Sequence, residues 1–215
     1  MKINKKDMLL YAVTDRCGYG YEEFLSRVET ALKSGVTCLQ LREKELEYGE
    51  FLFEAKAVKA LCEKNGVPFI INDNVALAIE CGAHGVHVGQ DDMSLGEIKK
   101  EAGNRLIVGV SAHNVKEALA AQAAGADYLG CGSVFTTSTK QNVTALGYET
   151  LREICCAVDI PVVAIGGINA GNIANLTGSG IDGVAAASAI FGADDVSLAC
   201  EELKKLSEKA VKGIE

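Results

Sequence analysis

Short apolar runs alternate with amphipathic stretches from one end of the chain to the other. The runs at 9–14 (LLYAVT), 37–42 (TCLQLR), 68–72 (PFIIN), 85–89 (GVHVG), 106–111 (LIVGVS), 126–132 (ADYLGCG), 161–166 (PVVAIG) and 183–188 (GVAAAS) read as eight strands. Between them apolar residues recur at helical spacing, as in Phe24, Val28, Ala31 and Leu32, then Leu52, Ala55, Val58 and Leu61, and near the end Ala199, Leu203, Leu206 and Ala210. Ser94 followed by Glu97, and Asn114 followed by Glu117, resemble helix starts in which a side-chain oxygen receives the first free amide hydrogens. Runs such as VVAIG are apolar almost without interruption, which suits strands buried on both faces of a parallel sheet. Pro68 and Pro161 both fall at the leading edge of a strand, where a missing amide hydrogen does little harm.

Eight strand and helix units within 215 residues predict a single-domain α/β chain folded as a (β/α)8 TIM barrel over 1–215. A doubly wound open sheet is the alternative, but the first strand leads into TDRCGYGYEE and not into the G-x-G-x-x-G turn of a dinucleotide fold.

Composition narrows the partners. A hydrophobic fraction of 48% allows a large core, and a net charge of -8 argues against a nucleic-acid or anionic-membrane surface, both of which need a positive face. No run reaches the length of a membrane span, and the first apolar stretch meets Thr14, Asp15 and Arg16 too early for a secretion signal. Eight cysteines without a C-x-x-C spacing predict reduced, mostly buried thiols and a cytoplasmic protein. A homo-oligomer is left open.

In a barrel of this type the chemistry sits at the C-terminal ends of the strands. Polar residues gather there: Gln40, Arg42 and Lys44 after the second run, Asn72 and Asp73 after the third, Gln90, Asp91 and Asp92 after the fourth, Ser111 and His113 after the fifth. The sixth runs into a polar stretch holding Thr137, Thr139 and Lys140; the seventh ends in Gly166 and Gly167, and the eighth in Ser188. Asp73 and Asp92, among amides and hydroxyls, suit a hard cation such as Mg2+ better than zinc. Arg42 and Lys140 could hold a polyanion beside it, with a second anion site at the glycine pair and the helix opening at Ser188. Two phosphate-bearing small molecules are implied. Each feature also has an ordinary reading: QLREK as a solvated turn, Asn72 and Asp73 as helix caps, Asp91 as loop solvation, His84 and His87 as packed histidines.

With YAVTD, QLREK, INDNVALA, GVHVGQDD, GVSAHN, GSVFTTSTK, AIGGI and GVAAASAIF in this order, the chain resembles the thiamine-phosphate synthase (thiamine-phosphate pyrophosphorylase) family over essentially its whole length. The resemblance implies a transferase of thiamine biosynthesis. Such an enzyme joins 4-amino-2-methyl-5-hydroxymethylpyrimidine diphosphate to 4-methyl-5-(2-phosphoethyl)thiazole with Mg2+, releasing pyrophosphate. It assigns Asp73 and Asp92 to the metal, and Gln40, Arg42, Lys44, Asn72, Ser111 and Lys140 to the pyrimidine diphosphate, with Arg42, Lys140 and Ser111 catalytic. Thr137, Thr139, Gly167 and Ser188 match the thiazole-phosphate site. Ser133 and Thr136 stand where proline is common in the family, and this predicts a looser loop after the sixth strand. The polar TTSTKQNVT stretch reads as a lid over the diphosphate. A thiazole tautomerase and a catalytically silent thiamine-phosphate sensor share the scaffold, but neither requires the full set of Arg42, Asp73, Asp92 and Lys140.

Overall fold

A computed structural model describes residues 3–136 and 146–213. Eight parallel strands close into a barrel in sequence order: β1 (Leu10–Val13), β2 (Cys38–Leu41), β3 (Phe69–Asn72), β4 (Gly85–Val88), β5 (Ile107–Ala112), β6 (Tyr128–Cys131), β7 (Val162–Ile165) and β8 (Gly183–Ala186). The ring shuts where Tyr11 of β1 lies beside Ala185 of β8. Each expected run coincides with one strand, β5 continuing one residue past its run to Ala112. Pro68 and Pro161 lie just before β3 and β7, and their carbonyls accept from the amides of Leu39 and Leu129 on the preceding strands.

Side chains sort by parity. Cys38 of β2 joins Tyr11, Ile70, Ile107, Tyr128 and Val163 in the barrel interior, whereas Leu39 and Leu41 pack outward in the layer beneath the helices. Around the strands lie α1 (Tyr21–Lys33), α2 (Tyr48–Asn65), α3 (Val75–Cys81), α4 (Leu95–Ala102), α5 (Val115–Ala124) and α6 (Tyr148–Ala157), followed after β8 by α7 (Ser188–Phe191) and α8 (Val196–Lys212). The expected buried face of α1, Phe24, Val28, Ala31 and Leu32, is the observed one. Ser94 and Glu97 form a reciprocal cap on α4, and the Asn114 side chain accepts from the Glu117 amide on α5.

The structure departs from the expected helical faces in three places. On α2 the buried set is Phe51, Glu54, Ala55, Val58 and Cys62, leaving Leu52 and Leu61 at its margins. The stripe shifts because a carboxylate, Glu54, occupies a core position and is matched there by Arg16. On α8 the buried set is Val196, Cys200, Leu203, Ser207 and Ala210; Ser207 is buried because its hydroxyl donates to the Leu9 carbonyl at 2.6 Å. Between β7 and β8 the helical position holds only a four-residue 3-10 helix, Ile173–Leu176. Gly178 and Gly180, both in left-handed backbone, follow it closely and prevent a longer helix.

All eight cysteines are unbridged, and burial pushes the thiols of Cys155 and Cys200 up to about 12. Among the described residues no helix is long and apolar enough to cross a membrane.

Candidate active site

The strand ends surround a cavity of about 280 Å3, lined by Gln40, Arg42, Lys44, Asn72, Asp73, Asp92, Ser111, Gly167 and Ser188, every expected site residue among those described. Thr137, Thr139 and Lys140, with the expected lid, lie outside the described residues.

One wall comes from QLREK. Gln40 is 4% exposed, and its Nε2 donates to the Tyr11 hydroxyl at 2.9 Å. β2 ends at Leu41, yet Arg42 and Lys44 keep the parity of Gln40 and reach the cavity. Thr14 holds the turn by accepting the Arg42 amide at 2.8 Å. Among the described residues neither Arg42 nor Lys44 is ion-paired. In a chain of net charge -8 these two cations therefore face the cavity available to an anion. Glu43 turns away, to Arg16 at 3.2 Å. The same guanidinium contacts Glu54 and lies over the Phe24 ring, 4.4 Å from its centroid. Burial pushes the Glu43 carboxyl up to about 7; Arg16 opposes that shift, and Glu54 reinforces it.

The two aspartates stand on neighbouring strand ends. Asp73 follows β3 with φ 59, in the left-handed region, and its amide donates to the His87 carbonyl at 2.8 Å. Asn72 Nδ2 donates to Asp73 Oδ2 at 2.5 Å. Neither residue caps α3; Asn74 does, accepting from Leu77. Asp92 Oδ2 accepts from the Gly89 amide at 2.7 Å. Asp91 is exposed and outside the cavity lining, as loop solvation requires.

Among the described residues no group of three or more His, Cys, Asp or Glu side chains could enclose a metal. Two carboxylates on the wall of a cavity that also presents Arg42, Lys44 and Ser111 fit a cation that takes most of its remaining ligands from phosphate and water, the habit of Mg2+.

The floor holds two residues that the sequence alone did not single out, Tyr11 and Tyr128, beside the expected Ser111 and the expected packed His87. The Tyr11 and Tyr128 hydroxyls are 2.8 Å apart; Tyr128 is 3.0 Å from His87 Nδ1, and His87 Nε2 is 3.0 Å from Ser111 Oγ. Tyr128 fits because β5 carries Gly109 opposite it, where a Cβ would overlap the phenol ring. The available signal was parity: Tyr11 and Tyr128 occupy inward positions of otherwise apolar strands. His84 is a hydrogen-bonded histidine as expected, its Nδ1 accepting from the Phe69 amide at 3.0 Å, and burial lowers its pKa. His113 sits at the rim against Glu117, Nδ1 to Oε2 3.0 Å.

On the far side, Gly167 has φ 66 and lies so near the Thr136 carbonyl that a Cβ would overlap it. Its backbone can thus border the cavity where no side chain would fit. The expected loosening after β6 is absent at residues 133–135. Ser133 is buried and its hydroxyl donates to the Phe135 carbonyl at 2.6 Å, while the amides of Val134 and Phe135 bond to Ile165 and Gly166.

Residues 10–190 match the family model described as thiamine monophosphate synthase. Thiamine-phosphate synthases of Clostridium tetani and Clostridioides difficile are 45% and 46% identical, each over 92% of this chain and 94% of the relative. The solved thiamine phosphate pyrophosphorylase of Pyrococcus furiosus superposes with a TM-score of 0.87 at 39% identity, covering 96% of this chain and 98% of that one. By fold, by the residues gathered at its strand ends and by these relatives, the chain is a transferase that belongs to the thiamine monophosphate synthase family.

Proposed function

We propose that the enzyme joins 4-amino-2-methyl-5-hydroxymethylpyrimidine diphosphate to 4-methyl-5-(2-phosphoethyl)thiazole, giving thiamine phosphate and pyrophosphate. The observation that carries this reading is the meeting of two cations that have no ion pair among the described residues, Arg42 and Lys44, with two carboxylates, Asp73 and Asp92, around one cavity. A diphosphate with a divalent cation satisfies both sets at once.

Gln40, Asn72 and Ser111 hold the pyrimidine side, and Arg42, Lys44 and Lys140 receive the diphosphate. Thr137, Thr139, Gly167 and Ser188 take the thiazole phosphate. Asp73 and Asp92 would hold Mg2+, which when bound neutralises charge on the diphosphate. The substitution is dissociative. Pyrophosphate leaves first, its growing charge met by Arg42 and Lys140, and the thiazole nitrogen captures the pyrimidine-methyl cation. No protein nucleophile is needed, so catalysis rests on orientation and preorganised charge. The unbridged thiols agree with a cytoplasmic setting.

The test is to supply the full chain with Mg2+ and each substrate alone, then both together. The proposal expects thiamine phosphate only from the complete mixture. Conversion of a carboxylated thiazole without pyrimidine would make the protein a tautomerase, and tight binding of thiamine phosphate without turnover would make it a sensor.

A further inference from the structure

We propose that Tyr11, Tyr128 and His87 form a one-way chain of hydrogen bonds across the cavity floor that holds His87 as its Nε2–H tautomer and turns the Ser111 proton toward the cavity. His87 and Tyr128 are then positioning residues for Ser111. The kinetic consequence rests on the synthase reading; the chain itself does not.

The links are continuous from β2 to β5: Gln40 Nε2 to Tyr11 Oη 2.9 Å, Tyr11 Oη to Tyr128 Oη 2.8 Å, Tyr128 Oη to His87 Nδ1 3.0 Å, and His87 Nε2 to Ser111 Oγ 3.0 Å. A phenol has one proton to donate. Because Gln40 gives its amide hydrogen to Tyr11, the Tyr11 proton runs on to Tyr128, and the Tyr128 proton to His87 Nδ1. An imidazole that accepts at Nδ1 carries its hydrogen at Nε2, which it donates to Ser111 Oγ. Ser111 therefore receives a hydrogen bond from below and keeps its own proton for the cavity. In the opposite direction the Tyr11 proton would have only the Cys38 thiol, a weak acceptor, because the Gln40 amide nitrogen already bears two hydrogens and accepts none.

Packing holds the chain in place. Tyr11 and Tyr128 are 2% and 0% exposed, and burial raises both phenol pKa values well above 10.0, so both keep their protons. A Cβ on Gly109 would overlap the Tyr128 ring, and one on Gly130 would stand 2.9 Å from His87 Cε1. Tyr128 thus occupies space that Gly109 leaves open on the neighbouring strand β5, and His87 occupies space that Gly130 leaves open on β6, two strands away.

The experiment is nitrogen NMR of the full-length protein with labelled histidine; only three histidines are present, and His87→Gln assigns the signal. The wild type should show a protonated Nε2 and an unprotonated Nδ1 at neutral pH. Tyr128→Phe should release that preference, whereas Tyr11→Phe should preserve it, because the Tyr128 donor remains. Steady-state kinetics add the functional side. Tyr128→Phe should raise KM for the pyrimidine diphosphate about three- to tenfold, the scale of one lost hydrogen bond. KM for the thiazole phosphate should stay within about twofold. His87→Gln, which retains a donor toward Ser111, should fall closer to wild type than His87→Leu. An Nδ1–H tautomer, an imidazolium, or an unchanged tautomer in Tyr128→Phe overturns the chain even if turnover is normal. The Nε2–H tautomer in a protein that makes no thiamine phosphate upholds the chain and removes the synthase reading instead.

Discussion

The Thr14 hydroxyl accepts the Arg42 amide hydrogen at 2.8 Å and faces the Arg42 carbonyl at 3.4 Å, tying the end of β1 to the first residue beyond β2. Thr14 is 1% exposed, so the bond is made away from water. Thr14→Val keeps the shape and leaves the Arg42 amide without this partner. Chemical denaturation should show a loss of about 1–3 kcal/mol. KM for the pyrimidine diphosphate should rise as Arg42 loses its anchor. Unchanged stability and KM would mean that Arg42 is placed by other contacts.

Glu43 supplies a pH dependence. Its carboxyl titrates near 7 in the folded chain against an ordinary 4.5, so between those values the folded state holds a proton that the unfolded state has lost. The contribution to stability is complete below about pH 4.5 and disappears as pH rises through about 7. At about 1.4 kcal/mol per unit the full shift corresponds to about 3.5 kcal/mol, which solvent screening of this partly buried carboxyl reduces to roughly 2–3 kcal/mol. Glu43→Gln mimics the protonated form and should flatten the slope in that window, leaving the variant more stable than wild type at alkaline pH. A slope equal to wild type would assign the proton to another group.

Asp92 tests the metal site. Asp92→Asn retains an oxygen for the Gly89 amide but loses the charge, so the fold should persist while Mg2+ affinity, measured by titration of activity, falls at least tenfold. Asp92→Ala should abolish metal-dependent turnover. Near-normal turnover in the alanine variant would remove Asp92 from the metal site.

Lys140 divides the two substrates. Lys140→Ala should slow pyrophosphate departure in single-turnover kinetics by about a hundredfold to a thousandfold, the usual effect of losing one preorganised charge contact. Affinity for thiazole phosphate should change far less. Equal losses in both would show that the division is wrong.

The strands and the polar mouth were legible in sequence because both follow from short-range pattern. Period-two parity separates Gln40, Arg42 and Lys44 from Leu41 and Glu43, and the structure keeps that separation even where β2 has ended. The floor was not legible. Tyr11 and Tyr128 are 117 residues apart in sequence, and each alone looks like an aromatic core residue; only closure of the barrel brings their hydroxyls together. Glu54 escaped notice for a related reason. A carboxylate breaks an apolar stripe unless a distant guanidinium meets it, and Arg16 reaches Glu54 on α2 from the loop between β1 and α1. The short 3-10 helix before β8 reflects glycine positions whose left-handed backbone emerges only in the folded chain.

The most direct measurement is product stoichiometry in a single turnover, with the full-length protein in excess over pyrimidine diphosphate and saturating thiazole phosphate and Mg2+. The account expects one thiamine phosphate and one pyrophosphate for each pyrimidine diphosphate consumed. Pyrophosphate released without thiamine phosphate, or neither product from a folded protein that binds both substrates, would contradict it.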